Sequence, residues 1–236
     1  MALPTKTRRR LLIALAGLAG AAALVLGGTW LYVNVFSADA PDPFVLDSAT
    51  PGEANDDSGN GELILDGTWA VADGSEAGYR VDEVLNGLDN TVVGRTPDVT
   101  GEIVVADGAA TSGEVVVDMT TVTTDSNSRD GQFQGSIMNT DEYPTSTFTL
   151  TEPVPVGDLA GAAEPITLTA SGELTIRDVT REVEARLDLQ QSGDAVQVAG
   201  SVPITFAEFE VDPPNLAFVR VEDEGLVEFL LTLTRD

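Results

Sequence analysis

Chemically reactive side chains in this sequence are almost all carboxylates. The 236 residues include no histidine and no cysteine, against 39 aspartates and glutamates. The chain therefore lacks the commonest general base, the commonest zinc ligand, thiol nucleophiles and disulfides. What remains is paired-carboxylate hydrolysis, which needs two acids about 5 to 10 Å apart. No motif selects such a pair, and only two tryptophans are present to stack on sugars, so the sequence favours a protein that is not an enzyme.

The charge of the chain is divided unevenly. Lys6, Arg8, Arg9 and Arg10 place four positive charges in the first ten residues, which leaves 8 basic against 39 acidic residues, or −31, in the remainder. A surface this acidic repels phosphate backbones. Nucleic acid is therefore not expected as a partner.

Short stretches of alternating apolar and polar residues fill the chain from residue 63 onward, separated by turn residues such as Asp107-Gly108. In one of them Val115, Val117 and Met119 fall on the same side of a period-two pattern. Such alternation predicts half-buried antiparallel strands. A succession of these strands is typical of a barrel or a sandwich.

A polar segment with a short apolar face interrupts the alternation before Tyr143-Pro144. In this segment Phe133, Ile137 and Met138 have the spacing of one helical face, and the proline ends it. The alternation resumes at Thr147. The pattern predicts two antiparallel strands bridged by a short helical insert.

The later strands alternate most regularly, and the last of them, from Val227 to Leu233, is expected to close the sheet. Between two of these strands, Arg177-Asp178 predicts a tight reversal without glycine. We expect Asp178 to take the positive φ of this turn, since aspartate tolerates it better than most residues.

Three motifs in this order resemble the YceI-like family. The first is VDMTTVTTDSNSRDGQF followed by NTDEYPTSTF, the second is GELTIRDVTREV, and the third is FEVDPPNLAFVRVEDEGLVEFLLTL. Together they cover roughly residues 67 to 236. Three motifs in the right order make the resemblance more specific than any single short pattern.

This resemblance implies an all-β fold, an eight-stranded antiparallel lipocalin-like barrel with a short helical insert. It also implies a location outside the cytoplasm and a polyisoprenoid or similar lipid bound inside the barrel. Two features depart from the family pattern. Family members often carry histidine in the first hairpin, whereas this chain has none, and Asp178 stands where glycine is common. A histidine contact to the ligand is therefore not expected.

Apolar residues on the inward rows and on the insert are the candidates for lining such a cavity. A long apolar tail would be held there by burial of its surface, at about 25 cal/mol per Å². Ordinary core packing is the alternative role for each of these residues. The candidates are Met119, Phe133, Ile137, Met138, Phe148, Ile176, Leu187, Val198, Phe206 and Phe229.

A polar head group on the ligand would need polar side chains at the mouth of the barrel. Arg129 and Asp130, beside the insert, and Arg95, in an expected Gly-Arg-Thr turn, are the candidates. Local pairing of Arg129 with Asp130 is the alternative, since an acidic residue is favoured in the first turn of a helix.

An uncharged apolar run fills residues 11 to 36. As a helix, 26 residues would span about 39 Å, more than the roughly 30 Å hydrocarbon core of a bilayer. Cationic residues precede the run and acidic sequence follows it, so residues 1 to 10 are expected in the cytoplasm. We expect a single-pass anchor in the cytoplasmic membrane with the remainder of the chain outside.

A cleavable signal peptide is the alternative, because Ala38-Asp39-Ala40 resembles a cleavage site. The length of the apolar run and Pro41 directly after that site favour an uncleaved anchor. Residues 37 to 62, rich in Pro, Gly, Ser and Asp, predict a flexible acidic linker, followed by the barrel domain at 63 to 236.

A second class of function stays open at this point. Instead of holding a ligand, the barrel could have a solid core and bind a protein partner through its loops as a structural or adhesion module, because an eight-stranded barrel can be filled by its own side chains. A carboxylate-based hydrolase is the weakest hypothesis. No cofactor and no metal are expected, and the sequence does not specify an oligomeric state.

Overall fold

The computed structural model of this protein describes residues 40–46, 64–85, 87–216 and 219–235. The predicted anchor at 11 to 36 and most of the predicted linker lie outside these ranges. Within them, no helix is long and apolar enough to cross a membrane.

The described residues form a β-protein with one short α-helix. The helix α1 (Asn127–Gln132) continues into a π-helical turn (Phe133–Ile137) and is the predicted insert. Three-residue or four-residue 3-10 turns lie at Met119–Thr121, Gly157–Leu159 and Phe206–Phe209. The strands are β1 (Gly67–Val71), β2 (Glu76–Leu85), β3 (Leu88–Thr96), β4 (Val99–Ala106), β5 (Ala109–Asp118), β6 (Thr145–Leu150), β7 (Val154–Pro155), β8 (Ile166–Ile176), β9 (Val179–Ser192), β10 (Ala195–Thr205), β11 (Asn215–Leu216), β12 (Val219–Val221) and β13 (Glu224–Arg235).

Eight antiparallel strands close into a ring in the order β1, β4, β5, β6, β8, β9, β10, β13. The last strand pairs back onto the first through Trp69↔Arg235 and Val71↔Leu233. The predicted eight-stranded antiparallel barrel with a short helical insert is confirmed. The closing role predicted for the last strand is confirmed with it.

One end of the barrel is extended by further hydrogen-bonded strands. Here β2 pairs with β3 as far as Leu85↔Leu88, and β12 pairs with the far end of β2 through Val221↔Glu83. We call this end, which also carries α1 and the β11–β12 hairpin, the upper end. The lower end carries the β9–β10 turn at Gly193.

The inward rows predicted from the two-residue rhythm are observed. In β8, Ala170, Leu174 and Ile176 are buried, while Thr169 and Glu173 on the opposite face are exposed. A strand with one dry face and one wet face must alternate in this way, because successive side chains point to opposite sides of the sheet.

The turn between β8 and β9 differs from its prediction in one residue. Arg177, and not Asp178, has the left-handed conformation, with φ 57°. The arginine side chain offsets the cost of this conformation, because it donates a hydrogen bond to Glu210 O at 3.0 Å and lies 5.4 Å over the Tyr143 ring. Tertiary contacts of the longer side chain therefore decide the turn.

Two glycines in the barrel wall make room for aromatic rings. A Cβ at Gly200 would lie 2.3 Å from Cζ of Phe229, and one at Gly172 would lie 2.3 Å from Cζ of Phe148. Both rings therefore lie flat against the backbone of a neighbouring strand. The absence of a side chain at these two positions shapes the middle of the barrel.

We expect Gly200→Ala to destabilise the fold by about 1 to 3 kcal/mol, because the new methyl group would force the Phe229 ring out of its position. The control is Gly135→Ala, whose Cβ would meet nothing within 4 Å. In that helical turn alanine should stabilise by about 0.5 to 1 kcal/mol. Urea unfolding of both variants checks the sign of each change, and a neutral Gly200→Ala would contradict the packing described here.

Candidate functional site

A cavity of about 490 Å³ occupies the upper half of the barrel. Its walls come from the inward faces of β2, β5, β10 and β13 and from the helical insert. The inner wall is apolar and includes Val117, Met119 and Val227, while the polar residues Glu83 and Arg129 lie at the upper end. We call this space the upper cavity.

A second cavity of about 130 Å³ lies in the lower half of the barrel. Every residue that lines it is apolar or glycine, including Val115, Leu189 and Trp69. The indole Nε1 of Trp69 donates to Leu65 O at 2.7 Å, so this buried polar group has a partner without using the cavity. We call this space the lower cavity.

The two cavities are stacked along the barrel axis. On β5, Val115 lines the lower cavity and Val117 lines the upper one. On β13, Phe229 lines the lower cavity and Val227 lines the upper one. Two residues of strand correspond to about 7 Å. A linear ligand that fills both cavities would therefore pass the level of the Phe229 ring.

All ten residues predicted to line a cavity border one of these two spaces. Six lie around the upper cavity and four around the lower cavity. The upper group is Met119, Phe133, Ile137, Met138, Ile176 and Phe206, and the lower group is Phe148, Leu187, Val198 and Phe229. Contact of these side chains with a ligand remains a prediction.

Tyr79 is the main polar side chain on the inner wall of the upper cavity. Its ring stacks on Phe133 at a centroid distance of 5.0 Å and an interplanar angle of 12°. It also lies against Gly94, where a Cβ would be 2.5 Å from Cε1 of the tyrosine. These contacts fix the orientation of the phenol in the cavity wall.

The pKa of the Tyr79 hydroxyl is well above its usual value of 10. Burial of the side chain is the main cause, since it disfavours the phenolate; Arg129 opposes this effect, and nearby carboxylates such as Asp130 add to it. At neutral pH this side chain is therefore an uncharged hydroxyl that can donate a hydrogen bond to a ligand oxygen.

A raised folded-state pKa contributes stability that is fully present below the unfolded pKa of about 10 and is lost as the pH rises above it. Phenylalanine has no hydroxyl to ionise in the unfolded chain, so we expect Tyr79→Phe to lose less stability than the wild type as the pH rises. Between pH 8 and pH 11 the free energy of unfolding should fall by roughly 1 kcal/mol less in the variant than in the wild type. Urea unfolding at both pH values measures this difference, and an identical fall in both proteins would contradict a half-buried Tyr79 that stays neutral in the folded state.

Carboxylates surround the one arginine that faces the upper cavity from α1. Arg129 Nη1 pairs with Asp125, and Nη2 lies 3.8 Å from Oε1 of Glu83. Glu83 is itself buried and accepts a hydrogen bond from Asn90 Nδ2 at 2.8 Å. The positive charge of Arg129 is therefore balanced on two sides, and this part of the cavity is not an anion site.

Comparison with known protein families identifies the family of this barrel. A model of the YceI-like domain matches residues 69–233. The chain belongs to the YceI-like family. The resemblance in the three sequence motifs is thereby confirmed, and the family is one of binding proteins.

Solved structures share the YceI-like fold at low sequence identity. A polyisoprenoid binding domain from Saccharophagus degradans, implicated in plant cell wall breakdown, has 21% identity and a TM-score of 0.57, with 71% of this chain and 98% of that chain covered. BcnA from Burkholderia cenocepacia has 19% identity and a TM-score of 0.52, with 65% and 95% covered. No curated protein sequence matches the chain. At these identities the likeness shows the fold.

Two of the three predicted head-group residues lie elsewhere in the YceI-like barrel. Arg95 is in β3 and not in a turn, and its guanidinium pairs with Glu228 on the outer wall. The carboxylate of Asp130 accepts from the backbone N–H and the hydroxyl of Thr124, at 2.8 and 2.7 Å, and so ties the residues before the insert to its first turn. Of the three, only Arg129 borders one of the two cavities. It pairs with Asp125, whereas the alternative to a head-group role was a local pair with Asp130.

Sequence reasoning missed Tyr79 and Glu83 in the YceI-like barrel. Both lie on the inward row of β2 with Ala77 and Val81. The alternation of this row in the sequence could have identified them as inward-facing. Glycines at positions 78 and 94 obscured it, because they resemble strand interruptions although both lie within strands.

Proposed function

We propose that this protein binds a polyisoprenoid or another long apolar ligand inside its barrel, and that residues 11 to 36 tether it to the outer face of the cytoplasmic membrane. The observation that carries the ligand proposal is the pair of apolar cavities stacked along the barrel axis. The polyisoprenoid binding domain from Saccharophagus degradans, which has the same fold, supports this ligand class.

The dimensions of the cavities suit an elongated ligand. The upper cavity, at about 490 Å³, is within the roughly 300 to 1,000 Å³ of typical ligand sites. Burial of about 300 Å² of an apolar tail would contribute roughly 7.5 kcal/mol. Part of this free energy offsets the translational and rotational freedom that the ligand loses on binding. A long apolar tail buries more surface than a compact ligand and is therefore favoured.

The polar end of the ligand is uncharged in this proposal. A phosphate near Arg129 would meet the carboxylates of Asp125 and Glu83, which already pair with or approach that guanidinium. A carbonyl or hydroxyl oxygen meets no such repulsion and can accept a hydrogen bond from the neutral Tyr79 hydroxyl. The local charge thus favours a neutral amphiphile over a prenyl phosphate.

Support for the membrane tether comes from the sequence. The uncharged run of 26 residues is long enough to span a bilayer, and the four preceding cationic residues orient it with the barrel outside.

The test is to express residues 40–236, which contain every strand of the ring, and to extract the purified protein with organic solvent. Mass spectrometry of the extract should show a neutral lipid with a long apolar chain in near-stoichiometric amount. An extract without lipid would contradict ligand binding, and one that holds only prenyl phosphates would contradict the uncharged head group. The solid-core alternative has no support from the interior, since two cavities occupy it.

A further inference from the structure

Residues 40–46 lie against the outer wall of the barrel, and we call this segment the strap. Arg80 Nη2 donates a hydrogen bond to Pro41 O at 2.6 Å, and Arg95 Nη2 donates to Asp42 O at 2.6 Å. The guanidinium of Arg95 also lies 3.7 Å from the centroid of the Phe44 ring. The part of the predicted linker that the structure describes is therefore attached to the barrel at three points.

A buried carboxylate holds the two arginines in place. Glu228 is 2% exposed and accepts from Arg80 Nε at 3.0 Å and from Arg95 Nη2 at 2.8 Å. Gly78 pairs with both Glu228 and Arg95 across the sheet, so no side chain stands between the carboxylate and the guanidinium. The charge-assisted bonds fix both guanidinium groups before the strap reaches them.

The contacts also define the direction of the strap. Because β2 rises from Glu76 towards the upper end at Leu85, Arg80 lies above the level of Gly78 and Arg95. The strap meets Arg80 first, at Pro41, and reaches Arg95 with Asp42 and Phe44. Its amino-terminal end therefore points to the upper end of the barrel, where the hairpins and α1 surround the upper cavity.

The distance between the strap and the apolar run is short. Phe36, the last residue of that run, precedes Pro41 by five residues, which span at most about 18 Å. A free chain of 28 residues from Phe36 to Ile64 would have a root-mean-square length of roughly 30 Å and could extend to about 100 Å. Attachment of the strap therefore shortens the tether severalfold and fixes the side from which it leaves the barrel.

We propose that the strap holds the upper end of the barrel against the lipid surface, so that the upper cavity opens towards the bilayer that supplies its ligand. This inference rests on the membrane anchor of the proposed function. The strap thereby sets which end of the barrel meets the membrane, and it spares an apolar ligand a passage through water.

Electrostatic attraction does not provide this orientation. The upper end exposes Asp82, Asp89 and Asp125, and anionic lipids repel such a surface over a Debye length of about 8 Å. The lower end exposes Asp107, Asp158 and Asp194 in the same way, so charge favours neither end at an anionic bilayer. A short covalent connection overcomes the repulsion, and its effect should be visible on neutral lipid as well.

The test uses the full chain in phosphatidylcholine vesicles that contain headgroup-labelled quencher lipids. Since the chain has no cysteine, Asp89→Cys at the upper end and Ser192→Cys at the lower end each give a single site for a fluorophore; both positions are exposed. We expect severalfold stronger quenching at position 89 than at position 192. Pro41→Gly, Pro43→Gly and Phe44→Ser combined keep the chain length, but they remove the ring from Arg95 and the proline rigidity that presents the two carbonyl oxygens. This variant should bring the two values close to each other.

Val45→Ser is the matched control, because Val45 is 70% exposed within the same strap, and it should preserve the difference. Equal quenching at both positions in vesicle-bound wild-type chain would overturn the inference alone, as would a difference that the triple variant retains. A chain that vesicles do not hold would overturn both the inference and the anchor. Thermal unfolding of the triple variant checks that its barrel stays folded, and Phe44→Ala alone repeats the comparison if it does not.

Discussion

Val117→Trp is expected to remove ligand from the barrel, with affinity lowered by roughly fiftyfold or more. Val117 faces the upper cavity directly above Val115, which borders the lower one. An indole at this position would occupy the part of the upper cavity that adjoins the lower one. A tail that loses about 100 Å² of buried surface loses about 2.5 kcal/mol, which corresponds to this change in Kd. Lipid content per protein after solvent extraction measures the loss.

Val116→Trp is the matched control, because Val116 is the next residue on β5 and faces the outer side of the wall, opposite Thr100 and Thr147. It should leave the lipid content unchanged. The large cavity should also let Val117→Trp fold with a cost below the roughly 1 to 3 kcal/mol of an overpacked core. Equal lipid content in the two variants would show that the ligand lies somewhere other than this channel.

Glu228→Ala is expected to lower the free energy of unfolding by about 3 to 5 kcal/mol, the usual cost of leaving one side of a buried ion pair without its partner. The side chains of Arg80 and Arg95 are only 15% and 21% exposed, and both depend on this carboxylate. For a chain of this size the thermal midpoint should fall by roughly 10 °C.

Glu224→Ala removes a carboxylate that is exposed at the start of the same strand, and its effect should stay within about 0.5 kcal/mol. Thermal and urea unfolding of the two variants give the comparison. If both lose less than about 1 kcal/mol, Glu228 does not hold the outer wall and the strap together as described.

The barrel could be predicted from the sequence because its strands are dry on one face and wet on the other. In β8 and β9 the predicted inward residues Ile176 and Leu187 share their rows with Ala170 and Ala185, which lie directly opposite each other at 2% and 1% exposure. The ten cavity-lining candidates followed from the same rhythm and from the apolar face of the insert. Local alternation suffices for such assignments because burial itself imposes the period.

Polar and aromatic details depended on contacts between distant parts of the chain, which no local pattern records. Gly94 suggested a turn at Arg95, whereas its function is to admit the ring of Tyr79 from the neighbouring strand. Glu228 meets Arg80 across 148 residues of sequence, and the strap meets Arg95 across 53. Arg95 was expected in a turn for this reason, whereas it lies in β3 with its partner on the outside of the barrel. A head-group role for Arg129 stays a prediction.

A crystal structure of the barrel, purified without removal of lipid, tests the central claim most directly. Continuous elongated density should run from the upper cavity beside Tyr79, past the ring of Phe229, into the lower cavity next to Trp69. Density for water alone in the upper cavity, together with an empty lower cavity, would contradict the binding of a long apolar ligand in this barrel.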